Sequence, residues 1–362
     1  MSILVLENIH KHFNNDWILE DINFETKDNE FLVLLGPSGS GKTTLLKIIA
    51  GLEKPEKGAV YVNGQEITDV DPQKRDISMI FQNYPVYPHL NVYNNLAMPL
   101  KLKKRAKKEI HTKVEAIAKK LSINQILKRY TEKLSGGELQ RVAIGKALIK
   151  EPKIFLMDEP LSDLDAHIKI LVKEMIQKIH KEEKKLFLYV THDQAEAISQ
   201  ADRIAVLHGR KIVQLDIPEI IYNQPNDLFI AEFIGNPKIN ILEGEIIENS
   251  NGLFLSTAIG SIDVSNKKTT LKEYKKKKII IGIRPERIRI VEDSSEPSKF
   301  KLLGKVKHTE YLGNQSIVWL KELDNFKILQ DGLTKKEPNM IVEIKFDIDN
   351  ILLFDHELRV RI

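Results

Sequence analysis

Residues 34–51 read LLGPSGSGKTTLLKIIAG, and the fold follows from how this stretch is read. Gly36, Gly41, Lys42 and Thr43 satisfy G-x-x-x-x-G-K-[ST], the pattern of a loop that wraps a phosphate. The run FLVLL at 31–35 reads as a buried strand entering the loop, and TTLLKIIAG reads as an amphipathic helix leaving it. Glycines let the backbone close around an anion without Cβ clashes. Successive N–H groups and the helix N-terminus supply partial positive charge. The candidate cradle is therefore Gly36, Pro37, Ser38, Gly39, Ser40, Gly41, Lys42, Thr43 and Thr44. Lys42 is expected to reach the β- and γ-phosphates, and the Thr43 hydroxyl to ligate Mg²⁺.

Further apolar runs recur outward from the cradle: ISMIF (77–81), IFLM (154–157), LFLYV (186–190) and RIAVL (203–207). Several lead through a turn or polar motif into a helix-like stretch. Strands of this kind alternating with helices predict an α/β domain whose mainly parallel sheet is covered on both faces. Beyond about residue 235 the texture changes. IIIGIRPERIRIV and NMIVEIKFDIDN alternate apolar and polar residues, predicting half-buried antiparallel strands, with turn signals at Asn251-Gly252 and Gly313-Asn314. A second, small all-β domain is expected, joined near Gly235-Asn236-Pro237.

Composition sets the outer limits. The 362 residues exceed one average core, so one large and one smaller domain are expected. Hydrophobic residues at 42% and charged residues at 29% suit a globular chain, and a net charge of +4 does not by itself imply nucleic acid. The absence of cysteine excludes disulfides and thiolate zinc sites. No apolar run approaches the ~18 residues of a membrane span, and the N-terminus lacks a signal pattern. The lysine runs KLKKRAKKE (101–109) and KEYKKKK (272–278) read as solvated faces or loops.

Three strand ends carry candidate chemistry. KIFLMDEP (153–160) closes on Asp158, placed to hold the magnesium shell, and Glu159, placed to polarise an attacking water. LFLYVTHD (186–193) closes on His192, a candidate sensor of the γ-phosphate. Gln82 follows ISMIF and is a candidate contact to Mg²⁺ or the water. Phe13 could stack on a base or be an ordinary surface or core ring, and spacing does not choose. A second anion site is expected at KLSGGELQRVAIGKAL (133–148). Ser135 and Glu138 form an S-x-x-E capping box ahead of Leu139, Val142 and Ala143 at helical spacing, and a helix beginning at a Ser-Gly-Gly turn also attracts anions.

Taken in order, GPSGSGKT, the Gln82 loop, LSGGE, FLMDE, SDLD (162–165) and THD resemble an ABC transporter ATPase subunit. That resemblance implies a P-loop NTPase cassette over 1–235 with a helical subdomain at about 84–152, binding ATP with Mg²⁺. It also implies a two-fold homodimer in which Ser135, Gly136 and Gly137 of one subunit touch the γ-phosphate held by the other. Phe13 would stack on adenine, and Asp165 would link the two sites. The fifth signature residue, usually glutamine, is Glu138, whose charge should repel a polyphosphate unless it turns back to its own helix start. The segment NYPVYPHLNVYNNLAMPL resembles the importer branch, where two transmembrane permeases dock near Gln82–Leu90, with Pro85 in place of the usual alanine. FIGNPKIN, GIRPE and EYLGN resemble the C-terminal OB-like regulatory domain of sugar-importer ATPases, expected over 236–362.

The resulting expectation is a peripheral motor subunit at the cytoplasmic membrane face. It would serve import of an oligosaccharide, another carbohydrate or glycerol-3-phosphate, with an extracytoplasmic solute-binding protein as an indirect partner and no nucleic acid. Polyamine or iron import is the alternative. A soluble ABC protein of translation or repair would carry two cassettes or a coiled-coil insertion. A non-hydrolysing regulator would lack a base or magnesium ligand.

Overall fold

The computed structural model describes residues 3–249, 252–258, 260–265, 271–275, 277–291, 302–321 and 326–362. The expected turn residue Asn251 and Lys276 of the second lysine run lie outside these. The chain divides into two units, Met1–Pro218 and Glu219–Ile362.

The first unit runs β1 (Leu4–Phe13), β2 (Asp16–Glu25), β3 (Phe31–Leu35), α1 (Lys42–Ala50), β4 (Lys57–Val62), β5 (Gln65–Glu66), β6 (Ile77–Ile80), α2 (Val92–Leu102), α3 (Lys107–Lys120), α4 (Gly136–Leu148), β7 (Ile154–Asp158), α5 (Ala166–Glu183), β8 (Leu186–Thr191), α6 (Gln194–Gln200), β9 (Arg203–His208) and β10 (Lys211–Asp216). Its main sheet has the order β10-β9-β3-β8-β7-β6, parallel throughout except for the β10–β9 pair. Strands β3, β7 and β8 are buried at every position, as expected of continuous apolar runs in a parallel sheet.

Register does the functional work. Leu35 pairs with Thr191, and Asp158 pairs with Val190. The loops leaving β3, β7 and β8 therefore emerge side by side at one edge of the sheet.

An antiparallel sheet, β2-β1-β4-β5, was not foreseen from the sequence. Its Leu4, Leu6, Ile9 and Val60 share one core with Leu45, Leu46, Ile48 and Ile49 of α1 and with Leu32, Leu156 and Leu188 of the parallel sheet. Helix α1 is thus gripped by both sheets, which fixes the cradle at its N-terminus. Gly51, left-handed at φ 79, ends the helix. Between β6 and β7 lie α2, α3 and α4. A Cβ on Gly145 would stand 2.6 Å from Leu96 Cδ2 and 2.9 Å from Leu121 Cδ1, so only glycine permits this approach of α4 to its neighbours. Residues 101–108 are exposed, as expected of a solvated basic run.

The second unit contains α7 (Pro218–Asn223), α8 (Leu228–Phe233), β11 (Asn240–Asn249), β12 (Gly252–Thr257), β13 (Gly260–Asp263), β14 (Lys278–Ile283), β15 (Ile288–Val291), β16 (Leu302–Tyr311), β17 (Gln315–Leu320), β18 (Lys327–Asp331), β19 (Ile341–Phe346) and β20 (Ile351–Asp355). Two antiparallel sheets, β13-β12-β11-β14-β20 and β15-β19-β16-β17-β18, enclose one apolar core.

The compact units part at Pro218, so α7 and α8 precede the strands of the second unit. Leu228 and Ala231 of α8 pack on Ile280, Leu352 and Phe354. Buried Arg284 donates to the carbonyls of Tyr222 (2.7 Å), Ala231 (3.2 Å) and Ile234. The helical segment therefore belongs to the β unit. Strand β14 is also buried along nearly its whole length rather than on one face. Ile279, Ile281 and Ile283 enter the core between the sheets, and Ile280 faces α8.

Candidate nucleotide and hydrolysis site

Buried β3 delivers the chain into the loop 36–41, where Gly39 and Gly41 take left-handed φ values of 78 and 102. A Cβ on Gly36 would lie 2.3 Å from the Leu207 carbonyl oxygen, so the loop backbone passes against β9. Lys42 is only 4% exposed, and its ammonium donates to the carbonyls of Gly36 and Pro37, each at 2.9 Å. Burial pushes its pKa down, while Glu159 and Asp158 push it back up. The lysine thus staples its own loop, within the electrostatic reach of Glu159 and Asp158. Ser40 Oγ is buried with no hydrogen-bond partner among the described residues, an unmet group that a phosphate oxygen would satisfy. Ser38 and Gly39 are exposed at the loop tip, Pro37 and Thr44 are half-buried, and among the described residues no hydrogen bond holds the Thr44 side chain.

Thr43 Oγ1 donates to Asp158 Oδ1 at 2.9 Å, bringing the two expected magnesium oxygens together. Burial raises the pKa of Asp158, and the Thr43 bond lowers it. Among the described residues, no group of three His, Cys, Asp or Glu side chains could hold a metal. Next along the chain, Glu159 adopts φ 44, a strained value for a non-glycine residue. Its N–H donates to Val190 O at 3.0 Å, and its Oε2 lies 3.0 Å from His192 Nδ1. The two strand-end residues singled out as base and sensor are thus in direct contact. Gln82 is exposed and makes no hydrogen bond among the described residues, so it is not engaged with Thr43 or Asp158. Phe13 ends β1 at 43% exposure, with the Lys11 ammonium 5.1 Å from its ring centre.

The capping box expected at the Ser-Gly-Gly turn forms. Ser135 caps α4: its Oγ accepts from Glu138 N at 3.4 Å, and Glu138 Oε2 accepts from Ser135 N at 2.9 Å. The Ser135 N–H and hydroxyl, with Arg129, hold the Glu138 carboxyl below its usual range, so it is ionised. A Cβ on Gly137 would come within 2.7 Å of Ile168 Cγ2, which explains glycine there, and Gly136 lies beside Leu164. Asp165 accepts from Ile168 N at 3.1 Å as the cap of α5. Glu138→Gln should keep the cap, because an amide oxygen can still accept from Ser135. We expect an unchanged melting temperature and ATP affinity that is equal or tighter by titration; a several-fold loss of affinity would contradict this.

Several contributors were missed. Tyr84 donates to Pro160 O at 2.9 Å, and Gln140 Nε2 donates to the same carbonyl. The loop after Gln82 and helix α4 thus both grip the residue following Glu159. Burial pushes the Tyr84 hydroxyl up to about 12, so it remains a donor. Thr191 donates to Glu196 at 2.9 Å and accepts from Asp193 N at 2.9 Å, fixing the loop that presents His192. Of these, Thr191 and Asp193 carried a sequence signal, as parts of THD.

Comparison with known proteins agrees with this geometry. Residues 19–162 match the ABC transporter family, 235–288 the MalK OB fold domain and 281–354 the TOBE domain. The chain is 38% identical to the oligosaccharides import ATP-binding protein MsmX of Bacillus subtilis, covering 100% of both chains. It is also 38% identical to the sn-glycerol-3-phosphate import ATP-binding protein UgpC of Psychromonas ingrahamii, over 98% of this chain and 94% of that one. A solved dimeric, post-hydrolysis structure of the ATP-binding cassette MJ0796, bound to ADP and Pi, aligns with a TM-score of 0.54 at 30% identity, over 60% of this chain and 99% of that one. A phosphate cradle, a carboxylate–histidine pair beside it and relatives matched along their full length have one common reading: the chain belongs to the ATP-binding, ATP-hydrolysing proteins of the ABC transporter family.

Proposed function

We propose that the chain is the motor of an importer, working as a head-to-tail pair that clamps Mg-ATP between two copies. The observation that carries this is the Glu159–His192 contact standing beside the Thr43–Asp158 pair at the mouth of one cradle. Gly36 to Thr44 hold the polyphosphate, with Lys42 leaving its two carbonyls for the β- and γ-phosphates. Phe13 stacks on adenine. Thr43, Asp158 and Gln82 would hold Mg²⁺, which would supply charge neutralisation at the phosphates; Gln82 would have to swing in to do so. Ser135, Gly136 and Gly137 of the second copy close the site, with Glu138 turned away and Asp165 linking the two halves.

In the hydrolytic step, Glu159 takes a proton from water as the water oxygen bonds to the γ-phosphorus. The bond from that phosphorus to the bridging oxygen breaks, leaving ADP and inorganic phosphate. His192 orients Glu159 and the γ-phosphate. Separated anions repel, and the pair opens.

Two permeases dock on a groove of about 310 Å³ lined by Met79, Phe81, Val86, Tyr87, Met98 and Leu102. Its neighbour Tyr84 reaches Pro160, which ties docking to the base. No helix among the described residues is long and apolar enough to cross a membrane. The chain would therefore sit peripherally at the cytoplasmic face, held by the permeases, with a solute-binding protein acting from the other side. The relatives favour an oligosaccharide or glycerol-3-phosphate type of cargo over polyamine or iron. The test is to purify the tagged chain from its own membranes, identify the integral proteins that accompany it, and reconstitute them. ATP-driven uptake of one of these solutes is expected; a chain that accompanies no membrane protein would refute the proposal.

A further inference from the structure

Glu138 poses an electrostatic problem that the capping box solves only in part. The box occupies Oε2, which accepts from Ser135 N at 2.9 Å and from the Ser135 hydroxyl at 3.1 Å. Neither partner carries charge, so the carboxylate would still project a full negative charge beside the Ser-Gly-Gly turn. The hydroxyl raises a further difficulty, because a proton donated to Glu138 is not available to a phosphate oxygen.

The remaining oxygen, Oε1, is taken by a cation from outside the helix. Arg129 Nη1 donates to it at 3.0 Å, while Nη2 donates to the Lys133 carbonyl at 2.5 Å. The arginine is anchored at its backbone as well: its N–H donates to Ile126 O and its carbonyl accepts from Val92 N of α2, each at 2.9 Å. The guanidinium therefore bridges the segment before the turn to the third residue of α4. Its planar fork suits this double contact better than a lysine ammonium would. The pair is partly solvated, with side chains 46% and 30% exposed, so as a surface ion pair it adds little to stability. Its effect lies in the local potential, where a triphosphate is the most sensitive probe.

We propose that Arg129 is a positioning residue that cancels the charge of Glu138 and thereby lets the Ser135 turn accept a triphosphate held by a second copy of the chain. This rests on the two-copy clamp proposed above. Arg129 acts through Glu138 and Ser135, on the facing site only. With the arginine drawing on Oε1, the carboxylate competes less for the Ser135 proton, which can then turn to the γ-phosphate.

The test uses the full chain carrying Glu159→Gln, so that ATP is not consumed, and reads ATP-driven dimerisation by sedimentation. Adding Arg129→Gln should raise the ATP concentration for half-dimerisation roughly five- to tenfold at low salt, and the gap should shrink near 1 M salt as screening sets in. Arg129→Lys should lose less. Adding Glu138→Gln to Arg129→Gln should restore dimerisation to within about twofold of the parent, because the charge that needed cancelling is gone. Binding of a fluorescent ATP analogue to the monomer should not change, since the cradle is untouched. The inference is overturned if Arg129→Gln dimerises like the parent, or if its loss persists when Glu138 is also replaced. A Glu159→Gln parent that stays monomeric in ATP would instead overturn the clamp itself, and this inference with it.

Discussion

Glu159→Gln should reduce ATP turnover by about a thousandfold while leaving ATP binding intact. The carboxylate lies 3.0 Å from His192 Nδ1 on a backbone held at φ 44 by the strand pairing beneath it. Glutamine keeps the size and one acceptor oxygen, so the loop and its contact to His192 can persist. It lacks the basicity to take a proton from water. With the chemical step blocked, the closed state cannot decay, and a stable ATP-bound dimer should accumulate in size-exclusion chromatography. Single-turnover phosphate release provides the second readout. If the variant releases phosphate at the parental rate, Glu159 is not the base.

The second large effect concerns binding. Lys42→Met should weaken ATP binding by about 2–3 kcal/mol, roughly 30- to 150-fold, because two charge-assisted contacts to phosphate oxygens are lost together. The ammonium is buried and committed to Gly36 O and Pro37 O until a ligand arrives. Methionine fills much of the same space but leaves both carbonyls without that donor, so a small fall in melting temperature should accompany the loss. Isothermal titration of the Lys42→Met chain against ATP measures the first effect and calorimetry the second. An affinity within threefold of the parent would show that the backbone of the loop, not its lysine, holds the phosphates.

The parts of this site readable from sequence are those built from short, local patterns. FLVLL, IFLM and LFLYV have no polar alternation because they are buried on both faces, and parallel pairing then sets their ends side by side. The capping box is legible because both partners lie within one helical turn. Strand β1 was not legible. Its register shifts between Leu6 and Ile9 and again around Lys11, which breaks the two-residue period. It also buries Lys11, which is satisfied by the Lys54 carbonyl and Glu56. Strand β14 read as half-exposed because a helix from outside the β domain's own pattern covers its second face. Arg129 left no signal, since it reaches Glu138 across an irregular segment where no periodicity places one residue against another. The same holds for Tyr84 and Gln140, which meet only because both segments fold onto Pro160.

A crystal of the Glu159→Gln chain grown with Mg²⁺ and ATP tests the clamp most directly. Each triphosphate should lie against Lys42 and Thr43 of one chain and against Ser135 and Gly137 of the other, with the Glu138 side chain turned toward Arg129. A triphosphate bound by one chain alone, with no serine facing it from a second copy, would contradict the clamp.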